Sequence, residues 1–535
     1  MGADSVSLAL AGSGGAGVVT AGALLQEAAA RAGWYALMSR SAGPQIRGGE
    51  AAALLRLASR PVSSHADAFD ILVALDWGRI ARFADEMPLA AGALVIGEAK
   101  EGEAPEAIAR AGCRSLALPM RDIARGIPGG RPNMVALGAA ARMIGLPEAA
   151  MKQVLEHSLA SKGAEAVEAS AAAFRAGMRA AADFPRRPLP PPVPAGARKR
   201  WNITGSEATA LGALRGGVRF VAAYPITPAT DVLEWLAATL PGVGGALIQA
   251  EDELAAINQV LGASWGGVPA LTATSGPGLS LMTESIGLAV AAEVPAVIVD
   301  VQRGGPSTGI PTKSEQCDLD IALHGMHGEA PHLVVAPVSI ADCLFATQWA
   351  VHLAESLQSP AIVLGDQQLG QAKAVIEAPG EFPFIARRLT WEGGAQPYRR
   401  YALTDSGISP MALPGRAGGQ HTADGLEHDE SGTPSSASSD HAAQLDKRAR
   451  KLERHDYGEH WAQIEGEGDL ALITWGSSTG PSREALERLA QAGLAARLVA
   501  LRLLAPAQPE KLARALAGAR RILVGEQSHS GQFHR

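Results

Sequence analysis

The chain is poor in cysteine and aromatic residues, and it lacks a long run of one charge sign or an unbroken hydrophobic stretch. Each shortage removes a class of protein. Cys113, Cys317 and Cys343 stand far apart and form no CxxC pair, so they supply no disulfide framework, zinc site or iron–sulfur ligand run. The formal charge of −7 is spread along the chain without a basic stripe, which excludes the footprint of a nucleic-acid binder. Residues 5–26 are uncharged, but they follow Asp4 rather than a basic segment and are rich in glycine, so they read as strand, loop and helix and not as a signal sequence. The best membrane-spanning candidate, residues 286–301, is interrupted by Glu293. These features lead us to expect a cytoplasmic protein with no membrane and no nucleic-acid partner.

What is plentiful is glycine and alanine, while aromatics make up only 4%. Small residues let helices and loops approach a sheet closely, so the fold class expected is α/β, multi-domain, with doubly wound parallel sheets. At 535 residues the chain exceeds one ordinary core. Short apolar runs (SVSLALA, AFDILVALD, ALVIG) alternate with helical patterns over a first domain, residues 1–184. A proline-rich linker follows at 185–200 and reads as an extended spacer. A second α/β domain covers 201–386, with RFVAAYP, PALTATS, AVIVDVQ and HLVVAP as strands. Residues 387–460 show little periodicity and read as an irregular excursion, and a third domain at 461–535 repeats the parallel βαβ pattern with DLALITWGSS, LVALRLL and RILVGEQ.

Three segments of the second domain carry chemistry. YPITP, residues 224–228, lies at the carboxyl end of a strand, where open α/β sheets bind ligands; it also fits Thr227 as a helix N-cap with Pro228 as first helical residue. EDELAAINQVLGAS then opens a helix with three acids, which suit the helix dipole. Spacing separates them: Glu253 shares a face with Ile257, Val260 and Leu261, whereas Glu251 sides with Ala255 and Asn258. A carboxyl group on an apolar stripe has a raised pKa unless a partner compensates, as a catalytic acid requires. TATSGPG, residues 272–278, is a glycine-rich strand-to-helix turn without the P-loop lysine. In the first domain GSGGAGVVTAG, residues 12–22, follows a strand, but the acidic residue of a dinucleotide site is missing, which disfavours NAD. His324 with His327, and His421 with His428, lack a third metal ligand, so no metal site is assigned.

Taken together, YPITP, TSGPG, Glu253 nine residues before Gly262, and QRGGPSTGIPTKSEQCDL at 302–319 resemble the pyrimidine-binding domain of thiamine diphosphate enzymes. They are specifically similar to the α subunit of 2-oxoacid:ferredoxin oxidoreductases, over nearly all of residues 201–535, the YALTDSGISP segment included. GSGGAGVVTAG and GPQIRGGEA, residues 43–51, resemble the γ subunit of the same family. The family implies that Glu253 hydrogen-bonds the aminopyrimidine N1′ of thiamine diphosphate, with Tyr224, Pro225, Ile226, Ser275 and Gly276 also on the cofactor. It implies that Thr227, Arg303, Lys313, Ser307 and Thr308 meet the substrate. Family members often carry arginine where Lys313 stands. For coenzyme A the resemblance points to Gly12, Gly14, Gly15, Gly17 and Arg47. No GDG-type diphosphate site is recognisable, so Mg2+ and a four-iron four-sulfur cluster are expected in a β subunit sharing the cofactor, with ferredoxin as electron partner in a dimer of αβ heterodimers. The third domain resembles the transketolase C-terminal domain and is expected to be shortened, since the sequence stops at Arg535.

The fused γ–α arrangement with STGIPTK and YALTDSGISP is more similar to the 2-oxoglutarate branch than to the pyruvate branch. A pyruvate or branched 2-oxoacid enzyme is the near alternative. A non-catalytic assembly subunit and a simple non-oxidative decarboxylase are the alternatives from other classes.

Overall fold

The computed structural model describes residues 4–43, 49–78, 80–82, 84–109, 112–192 and 199–535. It divides into two compact units, 1–203 with 372–379, and 204–371 with 380–535. Among the described residues no helix is long and apolar enough to cross a membrane.

The first unit is built on an eight-stranded sheet. Its order is Arg114–Leu118, Leu89–Glu98, Phe69–Ala74, Ser5–Ser13, Glu50–Ala58, Tyr35–Ala42, Lys373–Glu377 and Arg200–Thr204. The central strand Ser5–Ser13 is buried on both faces: Leu8 and Leu10 enter one core cluster, Ala9 and Ala11 the other. That two-sided burial explains its unbroken apolar run. The four strands from Arg114–Leu118 to Ser5–Ser13 are parallel. Glu50–Ala58, however, runs antiparallel to both Ser5–Ser13 and Tyr35–Ala42. The sheet is therefore mixed and not uniformly parallel as the doubly wound pattern suggested; an antiparallel pair needs no crossover helix, so alternation of strand and helix in the sequence does not reveal it.

Two boundaries expected from the sequence also shift. Lys373–Glu377, assigned to the second domain, is a strand of the first unit and pairs with Tyr35–Ala42. The first part of the proline-rich linker is not a free spacer: Arg187 and Leu189 donate backbone hydrogen bonds to Met143 and Ile144, and the Trp34 indole donates to the Pro190 carbonyl. Residues 193–198 of that linker lie outside the described residues.

The second unit holds two sheets. The larger has the order Leu503–Ala505, Leu333–Val335, Pro360–Asp366, Ala296–Gln302, Ala270–Thr274, Phe220–Ala223 and Ala246–Gln249, parallel except for the first strand. The smaller has the order Ala462–Gly466, Ala496–Leu501, Leu470–Trp475 and Arg521–Gly525, with only the first strand antiparallel. LVALRLL thus serves two sheets instead of one strand. Arg502 divides it, buried in a forked ion pair with Asp342 at 2.7 and 3.0 Å. The expected irregular excursion contains a 16-residue helix, Ser438–Glu453, whose inward face carries Gln444, Lys447, Arg448 and Lys451 beside Leu452.

Candidate active site

The site forms where the carboxyl ends of the central parallel strands meet the helices that follow them. Asp252 caps the helix Glu253–Trp265, its side chain accepting from the Ala255 amide at 2.7 Å. Glu253, the first residue of that helix, is 7% exposed, and Ala256, Ile257 and Val260 behind it are fully buried. Glu251 is exposed and lies before the helix, with Asp252 at its cap, so of the three acids only Glu253 stands in the first turn, on the buried face that spacing indicated.

The neighbouring strand Ala270–Thr274 passes through Ser275 into the helix Gly276–Ala291. Two glycines there are required by close approach. A Cβ on Gly278 would lie 2.8 Å from Glu253 Oε1 and 2.0 Å from Thr274 Oγ1, and one on Gly276 would lie 2.4 Å from Asp318 Oδ1. The glycines let two carboxyl groups reach the N-terminus of this helix, where backbone N–H groups and the helix dipole favour negative charge. The hydroxyls of Thr272 and Ser275 are buried with no protein partner. Buried hydroxyls without partners are uncommon and suit a ligand that brings its own donors and acceptors.

YPITP follows the strand Phe220–Ala223 as a loop. Thr227 is not a helix N-cap: the helix starts at Thr230, with Ala229 in the cap position and no side-chain cap bond. Tyr224 is 41% exposed, Pro225 and Thr227 are exposed, and Ile226 packs against the core. Arg303, only 6% exposed, donates from Nη1 to the Thr227 carbonyl, tying the substrate-loop motif to YPITP. Its Nε has no partner.

The loop after Arg303 closes on itself. Gly304 donates to the Lys313 carbonyl at 3.0 Å, and Ile310 donates to the Gly304 carbonyl at 2.8 Å. Lys313 thus sits at the loop's base and is half-buried, while Ser307 and Thr308 are exposed at its tip. The structure gathers Glu253, Ser275, Gly276, Thr227 and Arg303 around adjoining strand ends, and leaves Ser307 and Thr308 exposed on the loop. Gln316 pins the far end of the loop: buried, it donates to the Trp475 carbonyl and Asp366 and accepts from Ser478 and Gln527.

Sequence reasoning missed Asp300 and Asp318. Asp300 is fully buried in the strand Ala296–Gln302, neither of its oxygens hydrogen-bonded, and burial, with the Asp318 carboxylate adding to it, raises its pKa well above 3.8. Asp318 is pushed up to about 6 by burial, with Glu315 adding to the rise and the Cys317 thiol and Arg303 opposing it. The Cys317 thiol is itself pushed up to about 12 by burial and then by Asp318, which keeps it protonated. The signal available was a single acid inside the apolar run AVIVDVQ.

In the first unit, the glycine-rich turn lines a cavity of 1150 Å³. Gly15 and Gly17, with φ of 95° and 82°, contribute to its wall together with Ser13, Arg131, Asn133 and Lys162. Gly12 does not: it packs against Asp76 and Val18. Gly14 is likewise outside the lining and donates its amide to the Gly49 carbonyl. Arg47 lies outside the described residues. Arg131 and Lys162 were missed because they follow the turn by more than a hundred positions and have no motif of their own. Of the histidines considered for metal, His421 bonds the Gly419 carbonyl and His428 stacks on Tyr401 beside Asp424, while His324 and His327 are exposed. Among the described residues no group of His, Cys, Asp or Glu is arranged for a metal ion.

Comparison with known proteins agrees with this layout. Residues 211–447 match the model of the pyruvate flavodoxin/ferredoxin oxidoreductase thiamine diphosphate-binding domain, and residues 7–180 match the pyruvate ferredoxin/flavodoxin oxidoreductase model. The class is thus that of thiamine diphosphate-binding oxidoreductases. The 2-oxoglutarate synthase subunit KorA of Methanothermobacter marburgensis is 34% identical over 343 residues, which cover 63% of this chain and 90% of the relative. The α subunit of a 2-oxoacid:ferredoxin oxidoreductase from Saccharolobus solfataricus is 35% identical over 421 residues, covering 75% of this chain and 65% of that longer relative. A solved structure, the 2-oxoglutarate:ferredoxin oxidoreductase of Magnetococcus marinus with 2-oxoglutarate, coenzyme A and succinyl-CoA bound, superposes with a TM-score of 0.91 at 36% identity, covering 99% of this chain and 93% of that one. The chain belongs to the α-subunit family of the 2-oxoacid:ferredoxin oxidoreductases.

Proposed function

We propose that this chain is the α subunit of a 2-oxoglutarate:ferredoxin oxidoreductase, which interconverts 2-oxoglutarate, CoA and oxidised ferredoxin with succinyl-CoA, CO2 and reduced ferredoxin. The observation that carries the reading is the placement of Glu253: a buried carboxyl group against Gly278 at the start of the helix Gly276–Ala291, whose preceding strand and cap residue carry the unpartnered hydroxyls of Thr272 and Ser275. This donor set fits the aminopyrimidine edge of thiamine diphosphate. When bound, that cofactor supplies the nucleophilic carbon and holds the electrons left by decarboxylation.

The roles of the chain's own side chains follow from the geometry. Glu253 holds a proton at the pyrimidine N1′, in a site where burial strengthens the hydrogen bond. Arg303 presents a fixed guanidinium to a substrate carboxylate, a planar match that Lys313 makes only as a point charge. Thr227, held through its own carbonyl by Arg303, offers its hydroxyl beside the substrate's carbonyl. In the first unit, the amides of Gly15 and Gly17 with Arg131 and Lys162 offer donors and cations to the phosphates of CoA. A β subunit brings the diphosphate site, Mg2+ and the iron–sulfur cluster, consistent with cysteines too scattered in this sequence to form a ligand run. The assembly is a dimer of αβ heterodimers working in the cytoplasm.

Viologen reduction by the complex assembled with its β subunit tests the substrate. The expected outcome is activity with 2-oxoglutarate and CoA well above that with pyruvate; the reverse preference sinks the assignment. In the same complex Glu253→Gln should lower kcat by about 100-fold or more, the scale of a lost general acid–base group. Full turnover in that variant would remove Glu253 from the mechanism and favour an assembly role.

A further inference from the structure

We propose that Gln316 and Gln532 are positioning residues for the substrate: they fasten the returning arm of the substrate loop, residues 316–320, to the smaller sheet and the segment after it, and so fix where Arg303 stands. The proposal deepens the reading of Arg303 as the substrate's anchor and rests on it.

Gln316 is fully buried, and all four hydrogen bonds that a side-chain amide can make are made. Its Nε2 donates to the Trp475 carbonyl at 3.2 Å and to Asp366 Oδ2 at 3.4 Å, while Oε1 accepts from Ser478 Oγ at 3.2 Å and from the Gln527 amide at 2.9 Å. Its own backbone amide donates to the Gln527 carbonyl at 2.9 Å. Trp475 and Asp366 end strands of two different sheets, so one side chain joins the loop to both. Gly476, with φ of 60°, makes the room, since a Cβ there would strike Nε2.

Gln532 grips the same arm further along. Its Nε2 donates to the Cys317 carbonyl at 2.9 Å, and its Oε1 accepts from the Asp320 amide at 3.0 Å. The segment that carries it is itself held. Glu526 accepts from the amides of Phe533 and His534, each at 3.0 Å, and the Phe533 ring packs near that of Trp475.

Direct contacts pass this grip to Arg303. The Cys317 thiol donates to the Arg303 carbonyl at 3.2 Å, and the Asp318 amide donates to Gln302 Oε1 at 3.0 Å. The arm that carries Arg303 is thus bound to the arm that Gln316 and Gln532 hold. A guanidinium that must meet a carboxylate in its own plane tolerates little displacement, so affinity for the 2-oxoacid depends on contacts made away from it.

The test uses the complex with the β subunit. It measures kcat and KM for 2-oxoglutarate and for CoA, with amide hydrogen exchange over residues 303–319, for wild type, Gln316→Glu, Gln532→Ala and Arg303→Ala. Gln316→Glu keeps the side chain's size but loses both donors and sets a carboxylate beside Asp366. It should raise KM for 2-oxoglutarate about tenfold, the scale of one or two ordinary hydrogen bonds, with KM for CoA unchanged and the loop amides exchanging faster. Gln532→Ala, at a half-buried position, should act in the same direction by about threefold. If the variants speed exchange in the loop yet keep the wild-type KM for 2-oxoglutarate while Arg303→Ala raises it, the proposal is overturned and the reading of Arg303 stands. Unchanged exchange in the loop, or a rise in KM for CoA equal to that for 2-oxoglutarate, overturns it as well. If Arg303→Ala leaves KM for 2-oxoglutarate unchanged, the reading itself fails and the proposal with it. Where Gln316→Glu does not assemble, Gln532→Ala decides alone by the same readouts.

Discussion

Glu293 and Asp300 lie seven positions apart in sequence, both fully buried, yet the fold gives them opposite charge states. Burial disfavours the charged form of each. At Glu293 that cost is outweighed by Lys451, Lys447 and Arg400, with Nζ atoms at 3.1 and 2.6 Å from its oxygens, so the carboxyl stays ionised well below its ordinary range. Asp300 has no cation and no hydrogen bond, and its one charged neighbour is another acid, so it holds its proton. The difference teaches that depth alone does not set the state of a buried acid; the partners delivered by distant segments do. Lys447 and Lys451 arrive from the helix Ser438–Glu453, and Asp318 arrives from the substrate loop.

The sharpest way to break this comparison is Glu293→Gln. It leaves two buried lysines and an arginine without their counter-charge, and the expected loss is about 3–5 kcal/mol in urea unfolding. Asp318 and Asp300 should show the opposite dependence on acid. Glu293, depressed in the fold, contributes stability that is present above its ordinary 4.5 and is lost as pH falls below it. Asp300 and Asp318, raised in the fold, contribute stability that is present below their ordinary 3.8 and is lost as pH rises, for Asp318 through about 6. Unfolding midpoints of Asp300→Asn against wild type should therefore differ in slope between the weakly acidic and neutral range, the variant being flatter. The smallest effect is expected below the ordinary 3.8, where Asp300 is protonated in both the folded and the unfolded chain: there Asp300→Asn exchanges one neutral group for another and should change stability by about 1 kcal/mol or less, and at neutral pH the variant, which takes up no proton on folding, should be the more stable of the two. A loss equal to that of Glu293→Gln would mean that Asp300 is charged in the fold and that the contrast is false.

The helix Ser438–Glu453 shows why part of the fold was not legible. Its buried face is Gln444, Lys447, Arg448 and Lys451, so the hydrophobic period by which helices are recognised is missing, and the segment read as irregular. What makes it a buried helix is Glu293 and Glu427, more than a hundred and about twenty positions away from the residues they pair with. The strand Lys373–Glu377 is a similar case: its apolar residues are those of any strand, and only pairing with Tyr35–Ala42 decides its sheet. By contrast Glu253 was legible, because its relation to Ile257 and Val260 is local helical geometry.

By itself the sequence determined the strand and helix runs, the glycines where a carboxyl group must approach a helix end, and the carboxyl-bearing face of the Glu253 helix. These are properties of a few neighbouring residues, set by side-chain size and the periods of helix and strand. Only the tertiary structure decided that Arg303 reaches Thr227, that Arg131 and Lys162 line the glycine cavity, and that Asp300 is neutral while Glu293 is charged. Those facts depend on which distant groups share a region of low dielectric, and a chain position carries no record of its neighbours in space.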